Sequence, residues 1–245
     1  MILSKQNIFI ELDKHLFAEY KDRELKCLED FKIDDIIAFS YYHKVIDKKN
    51  RINNFNSVDL IFDIQFISQD IKLLTGLLFL LRPFINIPSA EGGTYFQNRY
   101  DARYLPFASL AHQNVYNFWD RIGDLLYFFF NTGLEERKVY FATVMSNFPS
   151  DYKSSEYYVK LNDLYEEKIK PLITARTQIV HYKQIETKHY LGTFQNYSDQ
   201  QIRNNLEEEK KGYPEYFKNH LDYCNNGFEY SLKLINELPD KADNS

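Results

Sequence analysis

A chain of 245 residues with 44% hydrophobic content is long enough to bury a large core. Twenty Tyr and twenty Phe against eight Gly and seven Pro supply too few turn formers for a β-sandwich, so the expectation is helical. A formal net charge of −5 argues against a general polyanion binder, whose surface carries a basic excess, and confines any phosphate site to a local patch.

Residues 1–14 lack the basic, apolar and small-residue order of a secretory signal. The longest apolar candidate, Leu73 to Leu81, falls short of the ~18 residues of a membrane span, so a cytoplasmic protein without a membrane partner is expected. Cys27 and Cys224 show no paired spacing, which argues against a disulfide framework, a zinc knuckle or a redox pair and leaves two reduced thiols.

In chain order, Asp22 to Phe31 and Asp34 to Asp47 read as short helices of an N-terminal element over residues 1–50. Ser57 to Leu81 repeats apolar residues at Leu60, Ile61, Ile64, Ile67, Ile71, Leu74 and Leu78, which is helical spacing, with Asn56 or Ser57 as the N-cap. The stretch from Ile87 to Thr94, with Pro88, Gly92 and Gly93, reads as a loop, because it lacks the strand, lysine and helix of a phosphate-binding turn. A long helix follows from about Tyr100 to Phe130, then a shorter one over Glu135 to Phe148. Ser154 to Tyr182 forms a further helix in which Pro171 imposes a kink or a restart. Ser198 to Lys211 and Pro214 to Leu238 close the series as two helices, with the run Glu207 to Lys211 as a solvated face. The expected fold is an all-α antiparallel helical bundle with additional helices, its main domain over residues 51–240 and a frayed tail over 241–245.

The segment with the strongest chemical signal is Ala175-Arg176-Thr177-Gln178-Ile179-Val180-His181-Tyr182. The positions three and four away from Arg176 are Leu172, Ile173, Ile179 and Val180, which puts a guanidinium on an apolar stripe. Arginine does not shed its charge and is expensive to bury unpaired. It therefore meets a carboxylate, a phosphate-like ligand or a polar seam between two copies of the chain. His181 lies five residues on, about 140° around an ideal helix, so a pocket using both fits a crevice flanked by two copies better than one helix face. A histidine titrating near pH 6.5 moves protons at neutral pH, and a nearby guanidinium stabilises charge on phosphorus, a pairing suited to cleaving an RNA phosphodiester without metal. The competing reading gives Arg176 an internal carboxylate and makes His181 a favourable charge at a helix C-terminus. Asp120 and Asp124 are the first carboxylates to consider as Arg176 partners.

Asn114, Asn117, Arg121 and Asp124 form one polar stripe beside Leu110, Phe118, Ile122, Leu125 and Phe129. The stripe either lines the Arg176 crevice or is the solvated edge of an amphipathic helix. Tyr182 and Tyr190 are candidate base-stacking platforms. His112 and His189 lack the convergent ligands a metal needs, so neither metal nor cofactor is expected.

The motif Arg176-Thr177-Gln178-Ile179-Val180-His181 resembles the R-x4-6-H motif of the HEPN superfamily, and Asn114 to Asp124 is similar to the polar and aromatic helix of some stand-alone bacterial members. The resemblance is clearest from Tyr100 to Tyr182. It implies a helical bundle, a homodimer with the motif at its interface, and metal-independent endoribonuclease activity in toxin-antitoxin or anti-phage defence. Arg176 and His181 would be the catalytic pair, and Thr177, Tyr182, Asn114, Asn117, Asp120, Arg121 and Asp124 supporting or RNA-binding residues. Thr177 stands where catalytic members commonly carry Asn, Asp or His. That departure keeps a second expectation open: a non-catalytic module that holds a nucleotide, an RNA or a protein partner such as a nucleotidyltransferase-type antitoxin.

Overall fold

The computed structural model describes residues 5–53, 56–85, 98–181, 184–196 and 198–241, with the helical stretches 5–8 and 177–181 described by their backbone alone. The protein is helical, as its composition requires. Its α-helices are α1 (Lys5–Asp22), α2 (Ala38–Ile46), α3 (Ser57–Leu81), α4 (Asp101–Phe129), α5 (Phe141–Ser146), α6 (Glu156–Leu164), α7 (Lys170–His181), α8 (Ile185–Gln195) and α9 (Gln200–Asn236). Two compact units divide them: residues 1–25, 70–113 and 176–219 make the first, and residues 26–69, 114–175 and 220–245 the second.

In the first unit, α1 packs on α3 through Gly76, where a Cβ would stand 2.6 Å from the Tyr20 ring. The start of α4 is fixed by reciprocal capping. The Asn98 side-chain oxygen accepts from the Tyr100 and Asp101 N–H groups, and the Asp101 carboxylate accepts from the Asn98 N–H. The other oxygen of Asp101 takes the Lys210 ammonium in an ion pair that is almost wholly buried. Lys210 therefore leaves the solvated face expected of the Glu207 to Lys211 run, although Lys211 still pairs with Glu207 one turn away.

The α9 helix runs unbroken through Pro214, where the sequence suggests two helices. A proline at 214 withholds the N–H that would reach the Lys210 carbonyl. The Tyr104 hydroxyl donates to that carbonyl at 2.7 Å, so the oxygen is satisfied and the helix continues. Asp199 caps this helix by accepting from the Gln201 and Ile202 N–H groups. The helix α8, absent from the sequence expectation, lies close enough to α9 that a Cβ at Gly192 would meet Leu206 at 2.8 Å.

The second unit holds the few strand residues. Lys32–Ile33 (β1) pairs antiparallel with Ile36–Ile37 (β2), with Lys32 opposite Ile37 and Ile33 opposite Ile36. Asp34 and Asp35 both have positive φ, the two-residue hairpin geometry that aspartate tolerates. This hairpin and the Cys27 to Asp30 turn, in which the Asp30 carboxylate accepts from the Cys27 N–H, replace helix at Asp22 to Phe31 and shorten the next one to Ala38–Ile46. Asn56 is the N-cap of α3, accepting from the Val58 and Asp59 N–H groups.

Helix α3, with the short turn after it to Phe84, is the one element among the described residues long and apolar enough to cross a membrane by length and composition. Ile61, Ile64, Ile71 and Leu78 on it are shut from solvent, the pattern of a core helix. On α4, Gly123 lets the backbone of Phe141 approach to 2.7 Å of where a Cβ would be, which docks α5. The Thr143 hydroxyl accepts from the Tyr140 N–H, which restarts the chain as a helix at Phe141 and not at Glu135. Ser155 caps α6. Pro171 neither breaks nor restarts the helix it enters: a π-turn over Tyr165–Ile169 passes the Lys170 N–H to the Tyr165 carbonyl, five residues back, and α7 follows directly.

Candidate functional site

Arg176 lies in the last turns of α7, half-buried, with its Nε shut from solvent. Leu172, one turn earlier, is fully buried, and Ile173 is half-buried, so the arginine does rise from the core-facing side of its helix. His181 is the final residue of α7. The side chains of Thr177 and His181, and Tyr182 altogether, lie outside the described residues.

The first unit brings a second histidine into the field of Arg176. His112, on α4, is 5% exposed and is clamped by Tyr216, whose ring stacks on it at 21°, and by Phe217, which meets it edge-on. Its Nδ1 is buried with no hydrogen-bond partner among the described residues. Burial above all, joined by the Arg176 charge and opposed by the ring's own backbone, pulls its pKa from 6.5 down to about 4. The ring is therefore neutral at physiological pH. Sequence reasoning weighed His112 only as a metal ligand; its position on the apolar stripe of Leu105, Ala108 and Val115 was the signal that it is a core residue.

His189 is likewise a core histidine, on α8. Its Nε2 lies 2.9 Å from the Tyr213 hydroxyl, which donates its own proton to Glu209. That direction assigns the proton between the ring and the phenol to His189 Nε2. Lys188 closes the chain by donating to the same Glu209 oxygen. Desolvation holds His189 neutral too, its pKa lowered to about 4. Among the described residues no group of three or more His, Cys, Asp or Glu is placed to hold a metal ion. Tyr190 and Phe194, successive turns of α8, are 58% and 74% exposed and present aromatic faces to solvent.

The polar stripe of α4 belongs to the second unit. Asn114, Asn117, Asp120 and Asp124 are half-buried and Arg121 is exposed. Arg121 donates to Asp124 at 2.6 Å and reaches Asp63 on α3 at 3.6 Å. The Asp124 carboxylate, weighed above as a partner of Arg176, is thus occupied by its neighbour on the same helix. Burial nonetheless raises its pKa, against the pull of Arg121. The apolar side of this helix is as expected except at Leu110, which is 53% exposed; Tyr104, Leu105, Ala108, Val115 and Trp119 fill the face in its place.

A family model described as Cthe2314-like HEPN matches residues 30–242, most of the chain. No curated protein and no solved structure matches it.

Proposed function

We propose, for a chain that belongs to the Cthe2314-like HEPN family, that it is a metal-independent endoribonuclease in which Arg176 grips the scissile phosphate and His181 moves the proton. The observation that carries the reading is a half-buried arginine on the core side of α7, followed at the helix end by a histidine inside the matched region. In the reaction the 2′-hydroxyl oxygen attacks phosphorus while a histidine takes its proton. The bond to the 5′-oxygen breaks, a second histidine protonates that oxygen, and the products are a 2′,3′-cyclic phosphate and a 5′-hydroxyl end. Arg176 stabilises the charge that builds on the non-bridging oxygens.

Two histidines are needed, and two copies of the chain supply them when both α7 ends face one crevice. HEPN domains often act as dimers and bind RNA, which supports a homodimer here. Thr177, Tyr182 and the α4 residues Asn114, Asn117, Asp120, Arg121 and Asp124 are the candidates for lining that crevice. A role as the toxin of a toxin-antitoxin or anti-phage system, beside a nucleotidyltransferase-type antitoxin in the cytoplasm, fits such an activity.

Purified wild-type protein, His181→Ala and Arg176→Ala, incubated with mixed RNA and EDTA, test the assignment. Loss of His181 is expected to lower the rate roughly 10²–10⁴-fold, the span of general acid-base catalysis. Equal activity in all three proteins refutes it. Thr177, a single hydroxyl where catalytic members carry Asn, Asp or His, favours a second reading in which the same crevice binds RNA or a nucleotide without turnover. Saturable RNA binding with no cyclic-phosphate product would select it.

A further inference from the structure

We infer that His112 is a positioning residue for Arg176: a buried, uncharged imidazole against which the guanidinium takes its direction. The inference rests on Arg176 being the functional cation of the preceding section, but its test does not depend on cleavage.

Three observations converge on it. Arg176 has its Nε shut from solvent, so its head group is held against protein and is not swinging in water. His112 is the histidine of the first unit on which the Arg176 charge acts. The clamp of Tyr216 and Phe217 fixes the plane of the His112 ring, while its Nδ1 has no hydrogen-bond partner among the described residues. A core histidine kept for packing alone would be expected to satisfy both nitrogens or to be replaced by an apolar ring, since a buried polar atom without a partner carries a desolvation cost. His189 shows the satisfied case, with its Nε2 on Tyr213.

The physical logic is one of charge. A protonated ring beside Arg176 would push the guanidinium out of the core, whereas a phenyl ring would offer it no dipole. A neutral imidazole does neither. It lets a permanent cation sit half-buried and leaves the full positive charge for an incoming anion. A carboxylate in its place would hold the arginine more strongly but would cancel that charge.

The test uses the whole protein and reads the arginine directly. In ¹H–¹⁵N spectra the Arg176 Nε resonance is assigned by its disappearance in Arg176→Lys. His112→Phe keeps an aromatic ring between Tyr216 and Phe217 and removes both nitrogens; His112→Asn keeps a neutral polar group. The expected result is that the Arg176 Nε resonance shifts and its proton exchanges roughly tenfold faster in His112→Phe, with His112→Asn restoring most of the wild-type behaviour and the other arginine resonances unmoved. Inorganic phosphate, titrated as the anion probe, is expected to perturb Arg176 in the wild type and in His112→Asn and not in His112→Phe. An Arg176 resonance identical in all three proteins overturns the inference, as does an equal disturbance by both His112 variants. Should His112→Phe fail to fold, the Asn variant against wild type decides alone: retained Arg176 exchange supports the inference and a tenfold acceleration refutes it.

Where the wild type cleaves RNA, His112→Phe is expected to lose about 10–100-fold in kcat with little change in KM, the signature of a misdirected group. A wild type that cleaves nothing sinks the nuclease reading while the spectra still judge His112.

Discussion

The Asp101–Lys210 pair ties the first turn of α4 to the middle of α9, and its removal is a sharp test of how the first unit is held. Both side chains are nearly free of solvent, at 0% and 5% exposure. Burial alone would drive Lys210 to release its proton, and the pKa is lowered despite the hydrogen bond and charge of Asp101. The pair is therefore costly to desolvate and costlier to break. Asp101→Asn leaves an ammonium without its carboxylate and should destabilise the unit by about 3–5 kcal/mol, a large fraction of a normal stability of about 5–15 kcal/mol. Lys210→Met leaves a carboxylate that keeps the Asn98 N–H, so its cost should fall at the low end of that range. The double variant Asp101→Asn/Lys210→Met removes both charges and should recover to within about 2 kcal/mol of wild type. Urea denaturation followed by circular dichroism, with equal m-values, measures all four proteins. A double variant that costs the sum of the two singles would show the charges acting independently and would refute the argument.

Acid should unfold the protein through its two buried imidazoles. Unfolded histidines take up protons from about pH 6.5 downward, whereas His112 and His189 in the fold refuse them until about 4. Stability contributed by their neutral state is full above pH 6.5 and is lost as pH falls toward 4, on the order of 3 kcal/mol for His112; a melting temperature flat from pH 7 to 4 in His112→Asn but falling in wild type would isolate that share, and parallel curves would contradict it. Gly227→Ala should cost about 1–3 kcal/mol, because a Cβ there would stand 2.2 Å from the Trp119 indole, which is itself buried; an unchanged melting temperature would mean that the indole moves freely. Lys49→Met removes an ammonium that donates to the Asn236 and Leu238 carbonyls at the end of α9 and pairs with Asp240, so amide exchange over the last turn should accelerate before any other part of the helix; uniform protection along α9 would refute that.

The long helices were legible because periodicity and caps agreed. Leu60, Ile61, Ile64, Ile71, Leu74 and Leu78 repeat at helical spacing, Asn56 caps them, and each is buried in the structure. What escaped was settled by partners far away in sequence. Pro214 reads as a break until the Tyr104 hydroxyl, 106 residues from Lys210, takes the orphaned carbonyl. Pro171 reads as a kink until a π-turn absorbs it. Asp34 and Asp35 carry no apolar pattern that distinguishes a helix start from a tight hairpin, and only the positive φ at both resolves it. Lys210 stands in a run of charges, and nothing local says that its ammonium turns inward to Asp101.

The same distinction governs the candidate site. Arg176 could be singled out from sequence because a permanent cation among Leu172, Ile173, Ile179 and Val180 violates local patterning, and such violations are where function tends to sit. His112 could not, because its neighbours on α4 make it look like one more polar residue at the edge of a stripe. Its importance comes from what it lacks in the fold: solvent, charge and a partner for Nδ1. An arginine that must stay charged and a histidine that must stay neutral are complementary requirements of one low-dielectric environment. The Tyr216 and Phe217 rings that exclude water from His112 help to create it. Substituting either ring by alanine should therefore raise the His112 pKa toward 6.5 and bring a second positive charge beside Arg176 at mildly acidic pH. An imidazole titration by NMR that stays near 4 in Phe217→Ala would show that exclusion of water is not what keeps the ring neutral.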